Sequence, residues 1–287
     1  MSARITSRLF TSPYIGQNRS CVNSVYRTAP GEPSVTMLLA ADEPAPFEII
    51  NQASSGPWVL TCDHASNRVP RALGTLGLGS ADLARHIGWD IGAAAVTRGL
   101  AARLDAWAIL QNYSRLVIDA NRPPGVPSSI PIRSELTDIP GNIALSPDEA
   151  EQRRIEIFAP YHDAITAHLD ARKAAGRPAF LVTMHSFTPV YENDARPMHA
   201  GVLYNREKRL AHALLRLLRA EPDLMVGDNE PYSVDDHSDY GINVHGEHRG
   251  LPCVEIEIRQ DLIAEPAGQA LWIERLARLL PDAAPPA

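Results

Sequence analysis

The chain has 287 residues, 45% of them hydrophobic and 21% charged, with a formal net charge of −7 at pH 7. This balance suits one sizeable α/β domain acting on small molecules, and the acidic excess argues against a nucleic-acid surface, which needs clustered Lys and Arg to neutralise phosphate. No run approaches the roughly 18 apolar residues of a membrane span, and Cys21, Cys62 and Cys253 are far apart and form no CxxC pair, so neither a disulfide framework nor a structural zinc knuckle is supported and a reducing cytoplasm is the default setting.

Residues 1 to about 36 carry four arginines, many Ser and Thr, and a single acid, Glu32, while Met37 stands just before the first sustained pattern. Residues 1–44 therefore read as a disordered or mis-called extension, with a transit-like leader as the alternative, and residues 45–287 as the folded domain. The first strong element is the apolar run from Trp58 to Cys62, closed by Asp63-His64. It reads as a buried strand delivering a histidine at its C-terminal end. Ala, Leu and Val then recur at helical spacing over 80–104, which predicts a helix. The next strand falls at 107–111 or at 116–118. Prolines from Pro123 to Pro147 predict a long loop, because proline fixes φ and removes a donor. Ser146-Pro147-Asp148-Glu149 is a capping box with Pro at the first helical position, opening a helix that runs to about Ala175 and stops at Gly176.

Phe180 to His185 repeats the pattern of an apolar strand ending in histidine. A strand at 201–204, a helix at 206–219, a loop through Pro231, a strand at 253–258 and a helix at 268–280 complete the chain. Strands and helices alternating in this way imply a single three-layer α/β domain, its mostly parallel sheet covered by helices on both faces.

Ligands of open α/β sheets gather beyond the carboxyl ends of the strands. His64 and His185 are both delivered there, and two imidazoles can share a metal ion. A catalytic zinc site keeps three protein ligands and an open position for water. The third ligand is Asp90, in His86-Ile87-Gly88-Trp89-Asp90, or Asn67, at HxxN spacing from His64. A carboxylate is the better zinc donor, although Asp90 would also serve as a helix cap.

A metal hydrolase needs a general base. In Val254-Glu255-Ile256-Glu257-Ile258-Arg259, strand alternation puts the apolar residues on one face and both glutamates on the other. Glu257 lies nearer the C-terminal end, hence nearer the metal. Arg115, Asn121 and Arg122 surround another strand end, where a guanidinium fork and an amide can hold a carboxylate; Arg115 could instead pair with Asp119. Tyr232 and His248 could cap the site. Ser66 and Ser186 neighbour the histidine strands, but no GxSxG elbow accompanies them.

Taken together, TCDHASNRVP, HIGWDIGA, SRLVIDANRPP, MHSFTP and VEIEIRQDL resemble the N-formylglutamate amidohydrolase family over about residues 45 to 280. The resemblance implies a zinc-carboxypeptidase-like fold related to the aspartoacylase group, and hydrolysis of the N-acyl amide of an acidic amino acid, in the best-known case to formate and L-glutamate. It implies Zn²⁺ or another divalent transition metal on His64 and His185, with Asp90 or Asn67 as third ligand. It further implies Glu257 as base and Asn121-Arg122 on the substrate carboxylate, and Arg115 is the candidate oxyanion donor. The chain departs from the family pattern in having Asn67 where HxxE has glutamate and DHAS where the best-known members have PHSG. A different N-acyl amino acid is therefore an open alternative, as are a metallo-carboxypeptidase and a non-catalytic carboxylate-binding protein.

Overall fold

The computed structural model describes residues 37–286. In chain order its strands and helices are β1 (Phe47–Ile50), β2 (Trp58–Cys62), α1 (Ser80–Leu83), α2 (Ala93–Arg103), β3 (Trp107–Gln111), β4 (Arg133–Ser134), β5 (Thr137–Asp138), α3 (Pro147–Arg153), α4 (Ala159–Ala174), β6 (Phe180–Phe187), β7 (Val190–Tyr191), β8 (Asp194–Ala195), β9 (Ala200–Leu203), α5 (Arg209–Arg219), β10 (Val226–Asp228), β11 (Cys253–Arg259) and α6 (Pro266–Ala283). The extension read over 1–44 lies outside the described residues as far as Thr36. From Met37 the chain belongs to the folded body: Leu38 is buried, and the Leu38 and Leu39 N–H groups donate to Glu156 at 2.8 and 2.9 Å.

Seven strands form the central sheet in the order β1-β3-β2-β6-β11-β9-β10. The pairs β3/β2, β2/β6, β6/β11 and β9/β10 are parallel, while β1/β3 and β11/β9 are antiparallel. The fold is thus a three-layer α/β domain with a mostly parallel mixed sheet. On one face Val96 and Leu100 of α2, Leu210 and Leu214 of α5, and Trp272 and Leu276 of α6 pack against Leu60, Val182, Val254 and Ile256. On the other, Tyr161, Ile165 and Leu169 of α4 cover Val59, Ile109 and Leu181. Full burial of aliphatic side chains of this size is worth about 1.5–3 kcal/mol each, which is what pins the sheet between its helices. Among the described residues no helix is long and apolar enough to cross a membrane.

The helix expected over 80–104 is two helices, α1 and α2, joined by an irregular stretch. Glycine decides this. Gly92 has φ of 84°, and a Cβ there would lie 2.2 Å from the Ile263 carbonyl oxygen, so the chain turns sharply where it presses on another loop. Of the two candidate strands, 107–111 is the strand and 116–118 is a buried turn. Its carbonyls bond side chains rather than a neighbouring strand: Leu116 O accepts from Asn142 at 2.8 Å and Val117 O from Arg153 at 3.0 Å. The Pro-rich segment is mostly loop, with the short hairpin β4/β5 inside it. The capping box forms as read, Ser146 Oγ accepting from Glu149 N, and the helix continues from α3 through a wide turn at 154–158 into α4.

Candidate active site

The carboxyl ends of β2, β6 and β11 lie side by side, and parallel register puts Glu257 directly across from His185. His64 follows β2, and its carbonyl accepts from Asp90 N at 2.9 Å, so the loop before α2 is tied to the end of β2. These contacts bring His64, Asp90 and His185 together in a buried cluster whose candidate ligand atoms lie within 4.8 Å of one another. They line a cavity of about 550 Å³ together with Arg115, Asn121, Arg122, Glu255 and Glu257. All seven side chains expected at the site are on its wall, and Asn67 is turned away, its amide donating to Leu83 O at 3.1 Å.

Proton bookkeeping favours a cation at the cluster. His64 Nε2 lies 2.7 Å from Asp119 Oδ1 and its Nδ1 lies 3.3 Å from Asp90 Oδ2, so a hydrogen held on Nε2 by Asp119 leaves Nδ1 as the nitrogen with a lone pair to offer an ion. His185 Nδ1 is 2.8 Å from the same Asp90 oxygen, and its Nε2 is 3.5 Å from Asp63 Oδ2. A distal carboxylate behind each imidazole is the arrangement that orients metal-ligating histidines. Asp63 is itself held by the Tyr161 hydroxyl, which donates at 2.5 Å. Five buried carboxyl groups, Asp63, Asp90, Asp119, Glu255 and Glu257, surround the two rings. Burial pulls the His185 pKa down, but Glu255, Asp63 and Asp90 outweigh it and push it well above the ordinary value. Burial likewise opposes ionisation of Asp90, yet the two imidazoles hold its carboxyl well below the usual range. A buried, anion-rich N₂O donor set fits a divalent transition metal.

Glu257 is buried and its Oε2 has no hydrogen-bond partner among the described residues. Burial pushes its pKa up to about 8, with His185 and Arg115 pulling the other way. Glu255 also rises to about 8 through burial, but it accepts from Asn121 Nδ2 at 3.4 Å. Glu257 is the carboxyl left free to exchange a proton.

Arg115 donates to Asp119 Oδ2 at 2.8 Å and approaches Asp90 Oδ1 at 3.4 Å. The pairing with Asp119 therefore exists, and it braces the acid behind His64. Asn121 is committed inward: its Oδ1 accepts from Tyr240 N and Gly241 N, and its Nδ2 faces Asp239 and Glu255. Arg122 spends Nη1 on Asn121 O, Ser238 O and Asp239 Oδ1, leaving Nε and Nη2 without partners among the described residues. Tyr232 lines the cavity, whereas His248 is exposed and away from it. Ser186 Oγ donates to Ile91 O, and Ser66 Oγ accepts from Arg68 N. Neither serine is hydrogen-bonded to a histidine.

Sequence reasoning passed over Asp63, Asp119, Asp239 and Tyr161 as site residues. The Asp-His dipeptide at 63–64 and the Asp-Ala-Asn-Arg run at 119–122 carried the signal for the first two.

A model of the N-formylglutamate amidohydrolase family matches residues 56–264. Among solved structures, a gene product of Agrobacterium tumefaciens is 39% identical, with a TM-score of 0.83, over 86% of this chain and 97% of that one. The N-formylglutamate amidohydrolase of Ralstonia eutropha is 21% identical, with a TM-score of 0.61, over 84% of this chain and 97% of that one, which bears on the fold. No curated protein matches the chain.

Proposed function

The chain belongs to the N-formylglutamate amidohydrolase family, and from that membership we propose that it is a metal-dependent amidohydrolase cleaving the N-acyl amide of an acidic amino acid, N-formyl-L-glutamate first among its substrates. One observation carries this reading: a buried His64-Asp90-His185 cluster shares a cavity with Glu257, whose Oε2 is unpartnered. His64, Asp90 and His185 would hold Zn²⁺ or another divalent transition metal. Bound there, the ion would polarise the acyl carbonyl and acidify a water.

The remaining roles fall to the chain's own groups. Glu257 takes the proton of the attacking water at its free Oε2 and returns it to the departing amine. Its raised pKa keeps the two protonation states close in energy near neutral pH. Arg115 has guanidinium N–H groups beyond those spent on Asp119 and Asp90, and these donate to the oxyanion as charge develops. Arg122 offers Nε and Nη2 as a fork for the amino-acid carboxylate, which fixes the amide against Glu257. Asn121 acts by positioning that arginine's loop, because its own amide is already engaged. Buried free Cys62 and Cys253 suit a reducing cytoplasm.

Metal analysis of the purified full chain, with formate release from N-formyl-L-glutamate, tests the reading. We expect close to one equivalent of bound metal, loss of turnover on chelation, and a fall of about 10²- to 10⁴-fold in kcat for Glu257→Gln. Turnover indifferent to chelators, from protein holding less than a tenth of an equivalent of metal, would sink it.

A further inference from the structure

Two arginines on the cavity wall are already neutralised, Arg115 by Asp119 and Asp90 and Arg122 by Asp239, and a third packs against two of the wall's tyrosines. The third, Arg196, has no carboxylate partner among the described residues. It is held in another way. Its guanidinium carbon sits 4.7 Å from the Tyr191 ring centre and 4.6 Å from that of Tyr232, and its Nη1 donates to the Tyr232 hydroxyl at 2.6 Å. Tyr191 and Tyr232 both line the cavity.

The segment leading to Arg196 is a tight hairpin. Glu192 and Asn193 have φ of 48° and 72°, the paired left-handed residues of a two-residue turn joining β7 to β8, which matches the twist of the strands. Just beyond, Arg196 N donates to Pro189 O at 2.8 Å, and the Arg196 carbonyl accepts from Arg259. Because Arg196 donates to the Tyr232 oxygen, the tyrosine's own O–H hydrogen has no acceptor among the described residues, and the Nε and Nη2 donors of Arg196 likewise have no partner among them. A fixed cation with spare N–H groups beside a free hydroxyl is a receptor for a planar anion.

We propose that Arg196, braced between Tyr191 and Tyr232, is the specificity determinant that binds the side-chain carboxylate of the acidic amino acid, separately from the α-carboxylate held by Arg122. This rests on the amidohydrolase reading and names the part of the site that makes it selective. Arg196 also lies close enough to help hold down the Glu257 pKa, so its test must separate a substrate contact from an effect on the base.

The test compares N-formyl-L-glutamate with its neutral isostere N-formyl-L-glutamine on wild type, Arg196→Met, Arg196→Lys and Tyr232→Phe. We expect wild type to prefer the acid, Arg196→Met to reduce the acid-to-amide ratio of kcat/KM by about 30-fold or more, Arg196→Lys to restore part of it, and Tyr232→Phe to cost about 3- to 10-fold. An unchanged ratio overturns the proposal, as does an equal loss on both substrates with a displaced pH profile, which would assign Arg196 to Glu257. Calorimetric binding of L-glutamate and L-glutamine separates the two readings. If wild type hydrolyses neither substrate but binds glutamate in an Arg196-dependent way, the subsite stands and the hydrolase reading falls; binding indifferent to Arg196 removes the subsite.

Discussion

Two buried histidine pairs lie in the same domain, and their surroundings have driven them to opposite chemistry. His64 and His185 have ring centres 4.9 Å apart and sit among five carboxyl groups. His162 and His245 have ring centres 5.1 Å apart, stacked, and lie against Phe158, Tyr161 and Tyr240. In the second pair His162 Nε2 donates to Ala120 O at 2.9 Å, so Nδ1 accepts from His245 Nε2 at 2.8 Å, and His245 Nδ1 keeps an unpartnered lone pair. Burial lowers the His162 pKa to about 4 and, with repulsion from His162, that of His245 to about 3. At the first pair burial is equally complete, yet His185 is pushed well above its ordinary value. Burial alone therefore makes a neutral structural histidine. It is the neighbouring carboxylates that hold a buried imidazole above its ordinary value.

The hardest break in this contrast is His185→Ala. Removing one imidazole from the anion-rich pair should abolish stoichiometric metal binding and lower kcat/KM on the order of 10³-fold, since a metal supplies several kcal/mol to the transition state. Metal content by mass spectrometry and formate release measure both. Retention of a full equivalent of metal would mean that Asp90 and His64 do not need His185.

A gentler change acts behind the ring. Asp119 Oδ1 lies 2.7 Å from His64 Nε2 and its Oδ2 receives Arg115. Asp119→Asn keeps the shape but weakens the acceptor, and outer partners of this kind are worth about 10- to 100-fold in metal affinity. Competition with a chelator should reveal a loss in that range while the thermal midpoint moves little. No loss would leave Asp119 as a brace for Arg115 alone.

What was legible in the sequence follows the range of the interactions involved. His64 and His185 could be placed because each closes an apolar run, and Glu257 because it alternates with apolar residues at strand period, both of them local patterns. Asp90 could be preferred to Asn67 on donor chemistry alone. The carboxylates behind the imidazoles were another matter, because Asp119 meets His64 across 55 positions and lies in a turn, 116–118 and its flank, whose apolar residues imitate a strand. The break between α1 and α2 depends on the contact of Gly92 with Ile263, which no local pattern records. Arg196 was invisible for the same reason: its aromatic partners, Tyr191 and Tyr232, come from strand β7 and from a loop about 40 positions further on.

The smallest expected effect lies at the structural pair, and it concerns stability rather than activity. An imidazole whose folded pKa is depressed contributes stability that is complete above its unfolded value of 6.5 and is lost as pH falls towards the folded value. For His162 and His245 the window runs from 6.5 down to about 4 and about 3. Glu255 and Glu257, raised to about 8, act in the opposite sense over part of this range, so the absolute curve of the wild type mixes the two. A difference removes the mixture. His245→Gln keeps a donor near the Nε2 position for His162 and cannot titrate, while both glutamates remain. Denaturant unfolding of both proteins from pH 7.5 to 4.5 should show the wild type losing stability relative to His245→Gln below pH 6.5, by at most about 1.4 kcal/mol per pH unit. Metal content should be the same in both, because the structural pair has no carboxylate cage to bind a cation. Parallel curves would mean that His245 is solvated through an opening of the core, and the contrast between the two pairs would then rest on the carboxylates of one alone.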